Sequence, residues 1–219
     1  MTEQPDLRGF ADAKISTTSL SDTVDDRGLA GDVLDSLRPM VIRDTPAIGV
    51  ARTATLVASD DPGIPGIAEL FDTVEEGDVL VLGWDVQGDD RPISTLGGLA
   101  GRRVSQRGAV AVVTNGWVRD VAELQATPLT IWSRGATPRT GKGRIAVTGV
   151  GEPTTVSGVT INNGDLVVAD ATGVCVVAAA DAAGAVEGAA DLEQRDAAFE
   201  ARLGEGSSFT DAAAATGTM

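Results

Sequence analysis

Arg119-Asp120 stands just beyond the apolar run Ala109-Val-Ala-Val-Val113 and the break at Asn115-Gly116. A guanidinium can grip a carboxylate through two parallel N–H donors, and a neighbouring carboxylate can hold an oxygen-preferring cation. Taken alone, an Arg-Asp pair after a strand is most often a solvated helix start. Gly97-Gly-Leu-Ala-Gly101 reads first as a turn or close-packing stretch, since no strand-GxxxxGK pattern surrounds it. Further polar groups lie in two loops. One carries the acids Asp85, Asp89 and Asp90, and the other the bases Arg134, Arg139, Lys142 and Arg144.

Missing residue types narrow the chemistry. With no His and no Tyr, the chain cannot supply a Ser-His-Asp triad, a Cys-His pair or an imidazole base. A metal would be held by oxygens, which points to Mg²⁺ or Mn²⁺ rather than Zn²⁺ or Cu²⁺. The single cysteine, Cys175, sits in the apolar run Gly173-Val-Cys-Val-Val-Ala178 and reads as a small core residue. Net charge is -15, from 32 acidic and 17 basic residues, which repels a phosphate backbone. Trp84, Trp117 and Trp132 are scattered without a basic face, so no nucleic-acid partner is expected. No apolar run reaches the ~18 residues of a membrane span, and the start lacks a secretory pattern. A cytoplasmic, membrane-free protein is the expectation.

These residues must be positioned by an alternating chain of strands and helices. Caps from Thr17 to Asp22 introduce a helix expected to end near Leu37. Ile48–Ala58 and Asp78–Gly83 read as strands, with a helix over 66–74 between them and a loop from Trp84 to Pro92. A helix over 98–106, the buried strand 109–113, a helix over 120–125 and a strand over 128–132 follow. Residues 135–143 read as a Gly-rich loop. Strands at 155–161, 165–169 and 174–177, joined by Asn163-Gly164 and Thr172-Gly173, suggest antiparallel pairing. A helical tail occupies 182–203. One domain over 1–204 is expected, with 205–219 as a frayed end.

Gly97-Gly-Leu-Ala-Gly101 followed by Arg107-Gly-Ala-Val-Ala-Val-Val-Thr-Asn-Gly-Trp-Val-Arg-Asp120 resembles the central signature of the RraA-like family. The likeness extends from Leu20-Ser-Asp22 through Gly49-Val-Ala-Arg-Thr53, Thr137-Pro138 and Val159-Thr-Ile-Asn-Asn-Gly-Asp165 to Ala169-Asp-Ala-Thr-Gly-Val174. That family holds divalent-metal aldolases of 4-hydroxy-2-oxo diacids and a protein regulator of ribonuclease E. The resemblance implies a mixed α/β fold, a compact β/β/α sandwich, assembled as a homotrimer or homohexamer with the site between subunits. It implies that Arg119 holds the carboxylate and oxygen of a pyruvyl group and that Asp120 anchors Mg²⁺ or Mn²⁺. The amides of Leu99 and Ala100, with Gly97 and Gly98, correspond to the substrate-binding loop. Catalysis would then rest on Arg119 and Asp120.

Two departures stand out. Where metal-dependent members carry Asp or Glu, twenty-one positions before Arg119, this chain has Gly98, and the family's Asp-Gly before the arginine is Asn115-Gly116. A tail carboxylate reaching a neighbouring site would be Glu193 or Glu200. The reading is therefore a metal-assisted lyase, of aldolase or oxaloacetate-decarboxylase type, acting on a small 2-oxo acid through a pyruvate enolate. The alternatives are a non-catalytic scaffold or regulator, and a member repurposed for another reaction on a keto acid.

Overall fold

A computed structural model describes residues 7–85 and 91–217. After a 3-10 turn at Leu7–Phe10, α1 (Thr17–Arg27) starts at Ser16, whose hydroxyl accepts from Ser19 N–H, and stops at Gly28 with φ 60°. That left-handed glycine ends the helix ten residues before the expected Leu37. The next residues are instead strands β1 (Gly31–Val33) and β2 (Arg38–Val41). Then come β3 (Ala47–Ala58), α2 (Ile67–Thr73), β4 (Asp78–Asp85), β5 (Ser94–Leu96), α3 (Gly98–Gln106), β6 (Ala111–Thr114), β7 (Trp117–Val118) and α4 (Val121–Gln125). They are followed by β8 (Thr130–Ser133), β9 (Gly135–Ala136), β10 (Ile145–Thr148), β11 (Thr154–Val156), β12 (Val159–Ile161), β13 (Leu166–Ala169) and β14 (Val174–Val177). Helices α5 (Ala182–Gly204) and α6 (Phe209–Thr216) close the chain.

Among the described residues, nine strands make one sheet in the order β1-β14-β13-β3-β4-β6-β8-β2, with β10 also paired to β3. Strands β3, β4, β6 and β8 run parallel, as buried apolar strands linked by helical crossovers should. β13 and β10 share the other edge of β3, opposite residues 47–50 and 55–58 respectively. A second, three-stranded parallel sheet has the order β5-β7-β9. This mixed α/β architecture agrees with the expected class.

The large sheet is covered on both faces: Leu34, Val156 of β11 and Ile161 of β12 pack on Val79, Val81 and Val113 on one, and the helices pack on the other. Leu70 and Val74 beside α2, Val104 of α3 and Leu124 of α4 bury against Leu56, Leu82 and Ile131. Leu20 and Val24 of α1 and Ala182, Ala185 and Val186 of α5 bury against Ile48, Val168 and Cys175. Cys175 is thus the core residue its surroundings predicted, and burial, aided by Asp32, raises its thiol pKa to about 11.

Three local readings are corrected. The stretch 155–161 is a hairpin, β11 with β12, turned at Ser157 and Gly158, both with positive φ. Residues 135–143 contain the short strand β9, because Gly135 and Ala136 complete the small sheet beside β7. The end past Gly204 folds into α6, capped by Ser208, and Phe209 meets Phe199 of α5 edge-on with ring centroids 4.9 Å apart.

Candidate functional site

Strands β5 and β7 lie side by side and parallel, and each runs directly into a helix. The chain therefore leaves them at the same end, where ligands of parallel α/β sheets bind. Gly97-Gly98 follow β5 at the start of α3, and Arg119-Asp120 follow β7 at the start of α4. The ladder continues past the strands, as Arg119 N–H donates to Leu96 O at 2.9 Å. Residues twenty-one apart in sequence meet for this reason.

Asp120 does not cap its own helix. It adopts φ 55° and ψ 45°, a left-handed conformation uncommon outside glycine, and makes no side-chain cap bond. Its Oδ2 instead accepts from the Gly98 N–H at 3.1 Å and pairs with Arg119 Nε at 3.3 Å. Backbone strain of this kind gathers at functional sites. Among the described residues, the Nη nitrogens of Arg119 have no partner, so the outer fork of the guanidinium is left for a ligand. Gly97 makes this approach feasible, since a Cβ there would lie 2.9 Å from Arg119 Nε and 3.0 Å from Asp120 Oδ2.

α3 begins at Gly97 without a side-chain cap. The amides of Leu99 and Ala100, in its first turn, have no intrahelical carbonyl to reach, and they point a partial positive charge outward. Gly97, Leu99, Ala100 and Arg119 line one cavity of about 280 Å³, together with residues of α2 and of the 140–141 turn. Gly98 and Asp120 are outside its lining, next to it in the chain and bonded to each other. Of the six sequence-predicted residues, four line the cavity, and Asp120 contacts Arg119 and the Gly98 amide beside it.

Glu123 is the residue that sequence reading missed. A Cβ on Gly98 would fall 2.1 Å from Glu123 Oε2 and 2.8 Å from its Cβ and Cδ. The space that a side chain at 98 would fill is thus taken by a carboxylate from α4. The signal was present: Glu123 is three residues past Asp120, one turn along the same helix face.

Other candidates are placed elsewhere. Asn115 Oδ1 accepts from Trp84 N–H while its Nδ2 donates to Trp84 O at 3.5 Å, so the amide ties β4 to the end of β6. A carboxylate could make only one of these two bonds. Glu193 accepts from Ser16 N–H at 3.0 Å and from Ser16 Oγ at 2.6 Å, within its own chain. Those bonds hold its carboxyl below the usual value of 4.5. Glu200 is exposed on α5, Asp85 is exposed at the end of β4, and Asp89 and Asp90 lie outside the described residues. Arg134 covers Trp117 at 4.4 Å from the ring centroid, while Trp84 and Trp132 are buried.

Among the described residues, no group of three or more His, Cys, Asp or Glu side chains could hold a metal ion. Asp120 and Glu123, both beside Gly98, are the oxygen donors at this place. One or two carboxylates, completed by water and ligand oxygens, is the usual protein share for Mg²⁺. Both are oxygen donors, the kind Mg²⁺ takes, and the nitrogen and sulfur ligands usual for Zn²⁺ are not among them. No helix among the described residues is long and apolar enough to cross a membrane.

The family model described as RraA-like, Aldolase/RraA, matches residues 17–176. A relative from Halalkalibacterium halodurans, named as a proposed 4-hydroxy-4-methyl-2-oxoglutarate aldolase, is 32% identical over 168 residues, covering 74% of this chain and 72% of its own. Protein DlpA of Legionella pneumophila is 28% identical over 164 residues, and the match spans only 26% of its length. An uncharacterised Pseudomonas syringae protein superposes with TM-score 0.81 at 26% identity, over 95% of this chain and 98% of its own. Streptomyces coelicolor RraAS2, described as an unusual member of the RNase ES inhibitor RraA protein family, gives TM-score 0.73 at 25% identity, over 90% and 97%.

Proposed function

We propose, from the premise that this chain belongs to the RraA-like family, that it is a carbon–carbon lyase acting on a small 2-oxo acid. The family joins aldolases with inhibitors of ribonuclease, so family alone does not choose between them. The observation that carries the lyase reading is the free outer fork of Arg119 facing a cavity, with its Nε held by Asp120. A binding scaffold has no use for a braced guanidinium whose outer fork lines a small cavity.

Arg119 would take the substrate carboxylate bidentately and reach the adjacent oxo oxygen. Its charge would then stabilise the enolate that develops as the carbon–carbon bond breaks, with the Leu99 and Ala100 amides adding fixed dipoles. Asp120 is the positioning residue for Arg119 and, through Gly98 N–H, for the start of α3. Asp120 and Glu123 would hold a divalent cation, which when bound supplies Lewis-acid polarisation of the oxo oxygen. We place the protein as a homotrimer or homohexamer, the assembly the family resemblance implies.

The test is pyruvate release from a panel of 4-hydroxy-2-oxo acids and oxaloacetate, with and without Mg²⁺ or Mn²⁺. Wild type should turn over at least one, and Arg119→Ala should lose about 2 to 4 kcal/mol of transition-state stabilisation, or 30- to 1,000-fold in kcat/KM. No release from any substrate with either ion would refute the lyase reading. Slowed RNA cleavage by a ribonuclease E-type enzyme on adding the inactive protein would instead favour the regulator, the reading suggested by the name of the Streptomyces neighbour.

A further inference from the structure

We infer that the cavity selects a monocarboxylate with an apolar tail, so that the fragment released on cleavage is an apolar aldehyde or ketone rather than a second acid. This rests on the lyase reading and deepens it. Besides Arg119 the cavity is lined by the apolar side chains of Ile64, Ile67 and Phe71, with the exposed Leu99. The first three are half-buried and backed by the core beneath α2, so they form a fixed surface rather than a loose flap.

Charge decides the matter. Arg119 is the only charged side chain among the described residues lining this cavity. Residues 86–90, outside the described set, are Val, Gln, Gly, Asp and Asp and contain no cation. Of the lining hydroxyls, Ser94 Oγ donates to Leu96 O at 2.8 Å and Thr95 Oγ1 to Trp117 O at 3.0 Å, while Thr140 Oγ1 accepts from Lys142 N–H and is a neutral donor at most. A diacid seated on Arg119 would find no second cationic side chain of this chain among the described lining residues, and isoleucine and phenylalanine do not compensate an ionised carboxylate. An alkyl group there would instead remove apolar surface from water. The volume of about 280 Å³ suits a small ligand, at the low end of ligand cavities.

The reaction balances without a further reactant. In a 4-hydroxy-2-oxo monoacid the C3–C4 bond breaks and its electron pair passes into the enolate held at Arg119. The C4 hydroxyl loses its proton and becomes the carbonyl of the departing fragment. C3 gains a proton, and pyruvate leaves.

Binding tests this apart from turnover. Calorimetric titration with 4-methyl-2-oxopentanoate, 2-oxopentanedioate and pyruvate should show the branched monoacid binding tightest, by about 10-fold or more over either of the others. Phe71→Ala, checked for folding by circular dichroism, should cut that preference to about 3-fold or less while pyruvate affinity stays unchanged. Ile67→Ser at the helix start serves the same purpose should Phe71→Ala fail to fold. A diacid bound as tightly as the monoacid, or a preference that survives both wall variants, would overturn the inference and leave the lyase reading standing. Failure of all three acids to bind wild type would remove both.

Discussion

Restoring the acid at position 98 should damage this protein rather than repair it. Gly98 is the first residue of α3 and its φ lies outside the left-handed region, so its backbone tolerates a side chain. Two terms favour Gly98→Asp: about 0.5 to 1 kcal/mol for removing a helical glycine, and about 0.3 to 1 kcal/mol for a negative charge at a helix start. Against them stands Glu123, whose Oε2 would lie 2.1 Å from the new Cβ and whose own Cβ would lie 2.8 Å away. Relief means driving Glu123 into another rotamer, at about 0.5 to 1.5 kcal/mol, and facing two carboxylates within a few ångströms. For an exposed pair that repulsion is nearer 1 than 4 kcal/mol. The net expectation is destabilisation by about 1 kcal/mol or less, with a larger coupling of about 2 kcal/mol between positions 98 and 123. Urea denaturation of wild type, Gly98→Asp, Glu123→Ala and the double variant measures that coupling. The double variant should exceed Glu123→Ala in stability, and added salt should shrink the penalty of the single variant. A coupling below about 0.5 kcal/mol would refute the idea that the Glu123 carboxylate has taken the place of a side chain at 98.

Three further outcomes follow from particular contacts. The Ser16 bonds lower the pKa of Glu193 below 4.5, so its contribution to stability is complete above that value and is lost as pH falls through the lower folded one. Glu193→Gln should cost about 1 kcal/mol at neutral pH and almost nothing in strong acid, read from urea midpoints at both; equal losses would refute the charge argument. Asn115→Asp removes the donor to Trp84 O and should cost about 1 kcal/mol at neutral pH, with partial recovery as the carboxyl protonates, followed by thermal melting across pH. Light scattering at micromolar concentration should give the mass of three or six chains, and a monomeric mass would count against a site shared between copies.

The order of the chain was legible because its apolar runs have strand length and its turns carry Gly and Asn. β3, β4 and α3 lie within two residues of the expected bounds. The end of α1 is not legible in the same way, because the helix stops at Gly28 through a left-handed backbone inside a polar stretch. The β11–β12 hairpin was read as one strand because its turn uses Ser157-Gly158, a weaker signal than Asn-Gly. At the site, the spacing of Gly97 and Arg119 pointed to a common location. The role of Asp120 as a brace did not follow from sequence, because it depends on a positive φ that turns the side chain away from its own helix. The apolar wall of α2 was equally hidden, since Ile67 and Phe71 satisfy a helix pattern whether they face a core or a cavity.

The position of β3 in the large sheet bears on how the chain must fold. β4 follows β3 closely in sequence, but on its other edge β10, opposite residues 55–58, begins at Ile145, and β13, opposite residues 47–50, begins at Leu166, more than a hundred residues after that strand starts. As the chain leaves the ribosome, a buried apolar strand therefore waits with its second edge unpaired until most of the protein has been made. β1 waits longer still for β14. Such non-local closure slows folding and leaves an edge that another nascent chain can pair with. The yield of native protein should therefore fall more steeply with synthesis rate than the stability of the finished fold would suggest.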